Sequence, residues 1–264
     1  MLEIISPGID KIENLLSVNG SLKNNKRPYN CLMAKTLLIG ANSTIAQALR
    51  ENSEREFLTF SRSEGTLNLD GDLSELDDVS DIDGLVYFPG TINLKPFTML
   101  KEDDFLNDFK INVLGASKVV KKVINKLKEA DGASVVFISS VAANIGLPFH
   151  ASIGASKSAL EGMARALASE YTNAKVCFNV VAPSLTETNL STNLLKTDRL
   201  VEASKERNPM KEIGDPKKIA KTIDFLLDAH NNWMTGQVVR VDGGMNNLCL
   251  LYTSPSPRDR TRSR

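Results

Sequence analysis

Short apolar runs rich in β-branched residues recur along the chain, each handing over to a polar turn and then to a stretch with helical spacing. Lys35-Thr-Leu-Leu-Ile39, Glu56-Phe-Leu-Thr-Phe60, Thr66-Leu-Asn-Leu-Asp70, the run from Asp83 to Phe88 and Ser134-Val-Val-Phe-Ile138 predict buried strands. Lys175-Val-Cys-Phe-Asn179 and the segment from Gly236 to Gly244 predict two more. Helices are expected over Ala46 to Arg50, from about Thr98–Asp104 through Phe105, Phe109, Val113, Val119 and Val123, and from Ala151 to Tyr171. Another begins at Asp215, with proline at its first position. The alternation predicts an α/β fold, a Rossmann-type doubly wound parallel sheet in three layers and a single domain. One connection breaks the plan. Between Arg62 and the third strand expected at Thr66–Asp70 only a few residues remain, and a parallel crossover normally needs a dozen or more. The second crossover is therefore shortened, its helix missing or reduced to a turn.

Composition narrows the class. The chain has 264 residues, with 32 basic against 32 acidic side chains and no run near twenty apolar residues. An even balance argues against a nucleic-acid partner, and the lack of a long apolar run against a membrane span. Cys31, Cys177 and Cys249 show no pairing or metal-ligand spacing, so no metal is expected, and a cytoplasmic location fits. Both ends look foreign to the fold. Residues 1–32 are polar and weakly periodic, and read as a non-native or disordered extension ahead of Met33. Residues 249–264 resemble a translated sequencing adapter and read as disordered read-through, leaving 33–248 as the domain. The polar stretch Asn189 to Met210 reads as a long loop, a lid over a substrate.

Three places carry candidate chemistry. Gly40-Ala-Asn42-Ser43-Thr44-Ile45-Ala46 joins the first strand to a helix, so free N–H groups and the helix dipole would face an anion. The second strand ends in Ser61-Arg62, where a carboxylate would bind both ribose hydroxyls of NAD. A hydroxyl and a guanidinium suit a 2′-phosphate instead, which favours NADP(H) over NAD(H). A solvated surface arginine is the plain alternative. The third place is the segment from Ile138 to Lys157, where a strand end bearing hydroxyls leads through a Gly/Pro loop into a helix bearing a lysine.

In order, these segments resemble the short-chain dehydrogenase/reductase (SDR) family over Lys35 to Met245. The family's G-x-x-x-G-x-G turn corresponds to Gly40, Thr44 and Ala46. Asp72-Leu73 matches its acidic and apolar pair at the adenine, and Phe88 to Gly90 matches its Asn-Asn-Ala-Gly segment with only the glycine kept. Asn112-Val-Leu-Gly115 matches Asn-x-x-Gly, where the asparagine distorts the helix and holds a water on the path to the lysine. Pro183-Ser184-Leu-Thr186-Glu-Thr188 matches the turn that receives the nicotinamide, with Ser184 for glycine. The resemblance implies a small-molecule substrate and a homodimer or homotetramer. Its four-helix interface would use the small residues Ala155, Ala159, Gly162 and Ala166.

The active-site pattern is serine, tyrosine thirteen residues on, and lysine four further. Ser140 and Lys157 fit, but the tyrosine position is Ile153. In the family that tyrosine protonates the product oxygen, the lysine binds the nicotinamide ribose and the serine orients the carbonyl. Isoleucine can neither donate a proton nor hydrogen-bond. Three explanations stay open. Another donor has replaced the tyrosine, His150 first and Ser152 second; the lysine, a water or the substrate manages the proton; or the protein binds NADP(H) without turnover, as a redox sensor or partner subunit. For His150 and Asn112, an ordinary loop histidine and a helix-surface amide are the plain alternatives. The expectation is an NADP(H)-dependent oxidoreductase acting on a carbonyl, hydroxyl or enoyl group, with Asn112, Ser140, Lys157 and His150 at its centre.

Overall fold

A computed structural model describes residues 35–248, so the readings made for the two terminal segments lie outside the described residues. Six strands form one parallel sheet: β1 Lys35–Ile39, β2 Glu56–Phe60, β3 Ile82–Tyr87, β4 Ala133–Ile138, β5 Val176–Pro183 and β6 Val238–Val241. Their order is β2-β1-β3-β4-β5-β6. The chain runs outward from β1 to β2, then crosses back over β1 to β3, so the direction of winding reverses between β1 and β3. Ligands of such sheets bind at that reversal, off the carboxyl ends of the strands.

The helices are α1 Thr44–Asn52, α2 Glu102–Phe109, α3 Gly115–Glu129, α4 Ala151–Tyr171, α5 Asp198–Arg207 and α6 Pro216–Leu227. Alternation along each strand feeds two cores. Leu37, Ile39, Val135 and Phe137 point toward α3 and α4 and meet Val119, Val123 and Leu160. Leu38, Val136 and Ile138 point the other way, toward Ala46 and Leu49 of α1 and Ile223 of α6. These are the three layers. Among the described residues no helix is long and apolar enough to cross a membrane.

The strand expected at Thr66–Asp70 does not form. Residues 61–81 cross from β2 to β3 without an α-helix, making one 3₁₀ turn at Ser74–Leu76. Leu67, Leu73, Leu76 and Val79 drop into the core one at a time at irregular spacing, a pattern that no pleat can provide. Lysines of α3 hold this segment from outside. Lys118 Nζ donates to the Leu69 carbonyl at 3.2 Å, and Lys126 Nζ donates to those of Leu76 and Asp77 at 2.8 and 2.6 Å. The loop expected at 189–210 is also largely helical. A 3₁₀ segment, Asn189–Leu194, precedes α5, which Thr197 caps by accepting from Leu200 N. Asp198 in its first turn and Lys205 and Arg207 in its last complement the helix dipole, a signal hidden by overall polarity.

Candidate active site

Gly40 leaves β1 at φ +80°, and a Cβ there would lie 3.0 Å from Pro89 Cδ, so this turn needs glycine on both counts. Its N–H and that of Ala41 donate to the Phe60 carbonyl, clamping the turn to the end of β2. Ser43 caps α1 by accepting from Ala46 N, and the helix therefore starts two residues earlier than expected. Ile45 and Ala46 are buried, Ala46 against the sheet as the third glycine position requires. Thr44, at the second glycine position, accepts from Asn189 N at 3.1 Å and so bridges from the turn to the start of the 3₁₀ segment.

At the end of β2, Asn42 Nδ2 donates to Ser61 Oγ at 3.2 Å and Ser63 Oγ at 2.8 Å. Ser61 Oγ donates in turn to the Glu64 carboxylate at 3.2 Å, while Arg62 is exposed. Glu64 escaped the sequence reading: it stands three residues beyond the strand, and only the turn back to Ser61 brings a carboxylate to this place. Asp72 Oδ1 accepts from Ser74 N, and the Leu73 side chain is buried in the core, where it cannot form a wall for a base.

Phe88 packs into the core beside α1, and Gly90 follows it. A Cβ on Gly90 would lie 3.2 Å from Lys157 Nζ and 3.3 Å from Asn112 Oδ1. Those two side chains therefore flank the glycine. Asn112 is 0% exposed, which excludes a surface amide. It stands in a π-helical turn, Lys110–Leu114, between α2 and α3. The turn frees the Ile111 carbonyl to accept from Tyr87 Oη at 2.7 Å, and Gly115 leaves room for that hydroxyl. Asn112 Nδ2 donates to the Asp108 carbonyl and to Thr91 Oγ1, while its Oδ1 is a buried acceptor with no protein partner.

Lys157 lies on α4, 5% exposed, and donates to the Ile138 carbonyl. Burial lowers its pKa to about 8, against an opposing pull from Asp108. Ser140, two residues past the end of β4, is half-buried and accepts from Ala142 N at 3.2 Å. Ile153, one turn before Lys157, is 5% exposed. Ser152 faces away from it: its hydroxyl donates to Asp108 Oδ2 at 2.5 Å and to the Asp104 carbonyl at 3.2 Å. Its hydroxyl is thus directed at α2. Asp108 was not identified from sequence, although its i, i+4 spacing to Asn112 puts both on one helix face.

His150 lines a cavity of about 260 Å³ with Lys95, Phe97, Ile145, Leu147 and Phe149. Its Nδ1 lies 2.7 Å from the Pro148 carbonyl, which can only accept, so Nδ1 carries a proton and Nε2 is left for a ligand. Beyond β5, Ser184 and Thr186 are buried, with Thr186 Oγ1 donating to the Ser184 carbonyl. Thr188 pairs with Ser191. Gly40, Gly90, Asn112, Ser140, Lys157 and Pro183 thus collect at the carboxyl edge of the sheet. Among the described residues no cluster of potential metal ligands occurs.

A family model described as Enoyl-(Acyl carrier protein) reductase matches residues 75–246, well over half of the chain. A tropinone reductase homolog of Arabidopsis thaliana is 33% identical over 59% of this chain and 59% of its own. The 3-oxoacyl-[acyl-carrier-protein] reductase MabA of Mycobacterium bovis is 31% identical over 55% and 58%. The chain thus spans about three fifths of the length of these curated relatives. Among solved structures, a short chain dehydrogenase family protein from Francisella tularensis aligns with a TM-score of 0.72 at 23% identity, over 82% of this chain and 100% of that one. ElxO with NADP bound aligns with a TM-score of 0.72 at 20% identity, over 81% and 99%. With the parallel sheet, the glycine turn at its reversal and the matched sequence in agreement, the chain belongs to the short-chain dehydrogenase/reductase family.

Proposed function

We propose that the protein is an NADP(H)-dependent oxidoreductase acting on a carbonyl, hydroxyl or enoyl group of a small molecule. The observation that carries this reading is the convergence of Lys157 and Asn112 on Gly90, with Lys157 bonded to the end of the strand that leads into Ser140. The fit to a dinucleotide rests on the glycine turn, which a Cβ would fill, and on the unpartnered buried acceptor of Asn112. In this reading the turn at Gly40 and the capped start of α1 hold the pyrophosphate, and Ser61 and Arg62 meet the 2′-phosphate. Lys157 holds the nicotinamide ribose, and Ser184, Thr186 and Thr188 take the carboxamide side. When bound, the coenzyme supplies or accepts the hydride. Ser140 orients the carbonyl oxygen and stabilises the charge that develops on it. The proton comes from His150, whose Nε2 carries one only in the imidazolium form. General acid catalysis of this kind is worth about 10²–10⁴-fold.

The test is NADPH oxidation against a panel of ketones and enoyl thioesters. Turnover should exceed the blank and collapse in Ser140→Ala. His150→Phe should abolish it while NADPH affinity holds; unchanged turnover would eliminate His150. Two features favour a second reading, a binding protein without turnover: Ser140 Oγ is engaged by Ala142 N, and position 153 is apolar. That reading requires that NADPH bind with no turnover on any substrate, and that Ile153→Tyr restore ketone reduction. A homo-oligomer in the cytoplasm is proposed on the resemblance and on the small residues of α4.

A further inference from the structure

One bulky residue beside α4 holds a backbone conformation that its packing does not explain. Phe149 sits at φ +69°, in the left-handed region that glycine enters freely and a large side chain does not. Among the described residues four other non-glycine residues have positive φ. Leu73 is buried in the core, and Asp81, Lys175 and Lys211 are polar residues in turns or bends. Phe149 is neither, for its ring is 57% exposed. Strain of that kind persists only where the surroundings fix it, and it gathers at ligand sites. The surroundings here are specific. Lys95 N donates to the Phe149 carbonyl at 3.2 Å, and Lys95 Nζ is itself held by Asp104 of α2 at 2.6 Å. On the other side, His150 Nδ1 donates to the Pro148 carbonyl, and the His150 carbonyl accepts from Gly154 N at 2.7 Å in the first turn of α4.

The ring so placed lines the cavity of about 260 Å³ together with Phe97, which is 72% exposed, and with Ile145 and Leu147. Only Lys95 and His150 bring polar side chains to this wall, and Lys95 is already paired. Ala142 lines the cavity too, and its N–H bonds Ser140 Oγ, so the wall reaches that hydroxyl. We propose that this cavity receives the apolar body of the substrate against Phe97 and Phe149, and that the substrate is a hydrophobic carbonyl compound rather than a polyhydroxylated one. A sugar would need several placed donors and acceptors, and each hydroxyl buried here without one costs free energy. An aromatic ring or an acyl chain loses only water, and a planar ring gains offset contact with the phenyl groups. The volume lies just under that usual for small-ligand pockets, about 300–1,000 Å³, so the body is small. The strain at Phe149 then has a purpose, which is to turn its ring out to the ligand. The inference rests on the oxidoreductase reading only in calling the occupant a substrate.

The experiment uses the full chain without coenzyme and the fluorescent naphthyl ketone Prodan, whose emission moves to the blue and brightens on leaving water. Prodan should bind saturably, and Phe97→Ala and Phe149→Ala should each weaken it about tenfold. Trp233→Ala removes an almost fully exposed ring outside the cavity and should leave binding unchanged. An equal loss there would mark indiscriminate adsorption and overturn the proposal. Phe149→Gly separates a ligand role from a structural one, because it relieves the backbone while removing the ring. Prodan affinity should fall while the melting temperature holds or rises. A melting temperature that falls with Prodan affinity intact overturns the proposal. Competition then names the body. Displacement by 2-acetylnaphthalene alone assigns it to rings, and displacement by 2-decanone as well assigns it to acyl chains. D-fructose should displace nothing, and displacement by it at comparable concentration overturns the proposal. NADPH oxidation is followed in parallel. Prodan bound with no turnover of any ketone keeps the cavity assignment and removes the oxidoreductase reading; turnover of ketoses with no Prodan binding does the reverse.

Discussion

The Lys157 ammonium donates to the Ile138 carbonyl at 2.7 Å, tying the second turn of α4 to the last residue of β4. The bond fixes the lysine where the strand delivers Ser140, and it does so inside the protein, where a charge is poorly solvated. The consequence is a pH-dependent stability. The unfolded chain holds this proton up to the ordinary lysine value of 10.5, whereas the folded site releases it at about 8. Between those values the unfolded state binds more protons, so stability rises with pH. Relative to Lys157→Met, the wild type should gain on the order of 3 kcal/mol from pH 7 to above pH 10. Urea unfolding of both proteins across that range measures it, and a flat difference would count against the burial described.

Gly90→Ala should act on the site more than on the fold. Its Cβ would meet Lys157 Nζ at 3.2 Å and Asn112 Oδ1 at 3.3 Å, so both side chains must give by a few tenths of an ångström. NADPH affinity should fall about tenfold, roughly 1.4 kcal/mol, with the melting temperature nearly unchanged. A large loss of stability with intact affinity would show that Gly90 serves the backbone alone.

Tyr87 and Gly115 should prove strongly coupled. Gly115→Ala drives a methyl into the Tyr87 hydroxyl, at a cost of about 1–3 kcal/mol. Tyr87→Phe strands the Ile111 carbonyl, also at about 1–3 kcal/mol. Together they should cost less than the sum, because the second change removes the hydroxyl that the first collides with. Simple additivity in denaturant melts would place the collision elsewhere.

Lys126→Met should loosen the helix-free crossover. Its ammonium satisfies the carbonyls of Leu76 and Asp77, and residues 61–81 have few backbone bonds of their own. Amide exchange in residues 74–79 should quicken several-fold, while β3 and β4 keep their protection. Unaltered exchange there would make the apolar anchors Leu67, Leu73 and Leu76 sufficient by themselves.

Coenzyme choice should turn on Arg62 and Glu64. Arg62→Ala should weaken NADPH binding about tenfold through the lost charge-assisted contact and leave NADH unchanged. Glu64→Gln should shift preference further toward NADPH, because a carboxylate bonded to Ser61 stands where a 2′-phosphate would arrive. Fluorescence titration with both coenzymes decides it. An Arg62→Ala protein that binds NADPH as well as before would leave the preference unexplained.

The helix distortion at Asn112 and the start of α4 at Ala151 were both legible. The third strand was misread because Thr66–Asp70 carries a short alternating pattern, and burial of single leucines in a crossover imitates it. The segment at 189–210 was misread because its polarity masked a capped helix. Glu64 and Asp108 were missed because neither belongs to a motif. Each matters only through a partner, Ser61 or Ser152, that the folded chain brings to it.

Periodicity and motif order determined by themselves that this is a parallel α/β sheet with a glycine turn at its first crossing, since side-chain period and backbone freedom are local properties. Only the tertiary structure decided which way Ser152 faces, which carbonyl Lys157 bonds and which acceptor of Asn112 is left open. Those depend on distances between segments far apart in the chain, set by the packing of α2, α3 and α4, and no local pattern encodes them.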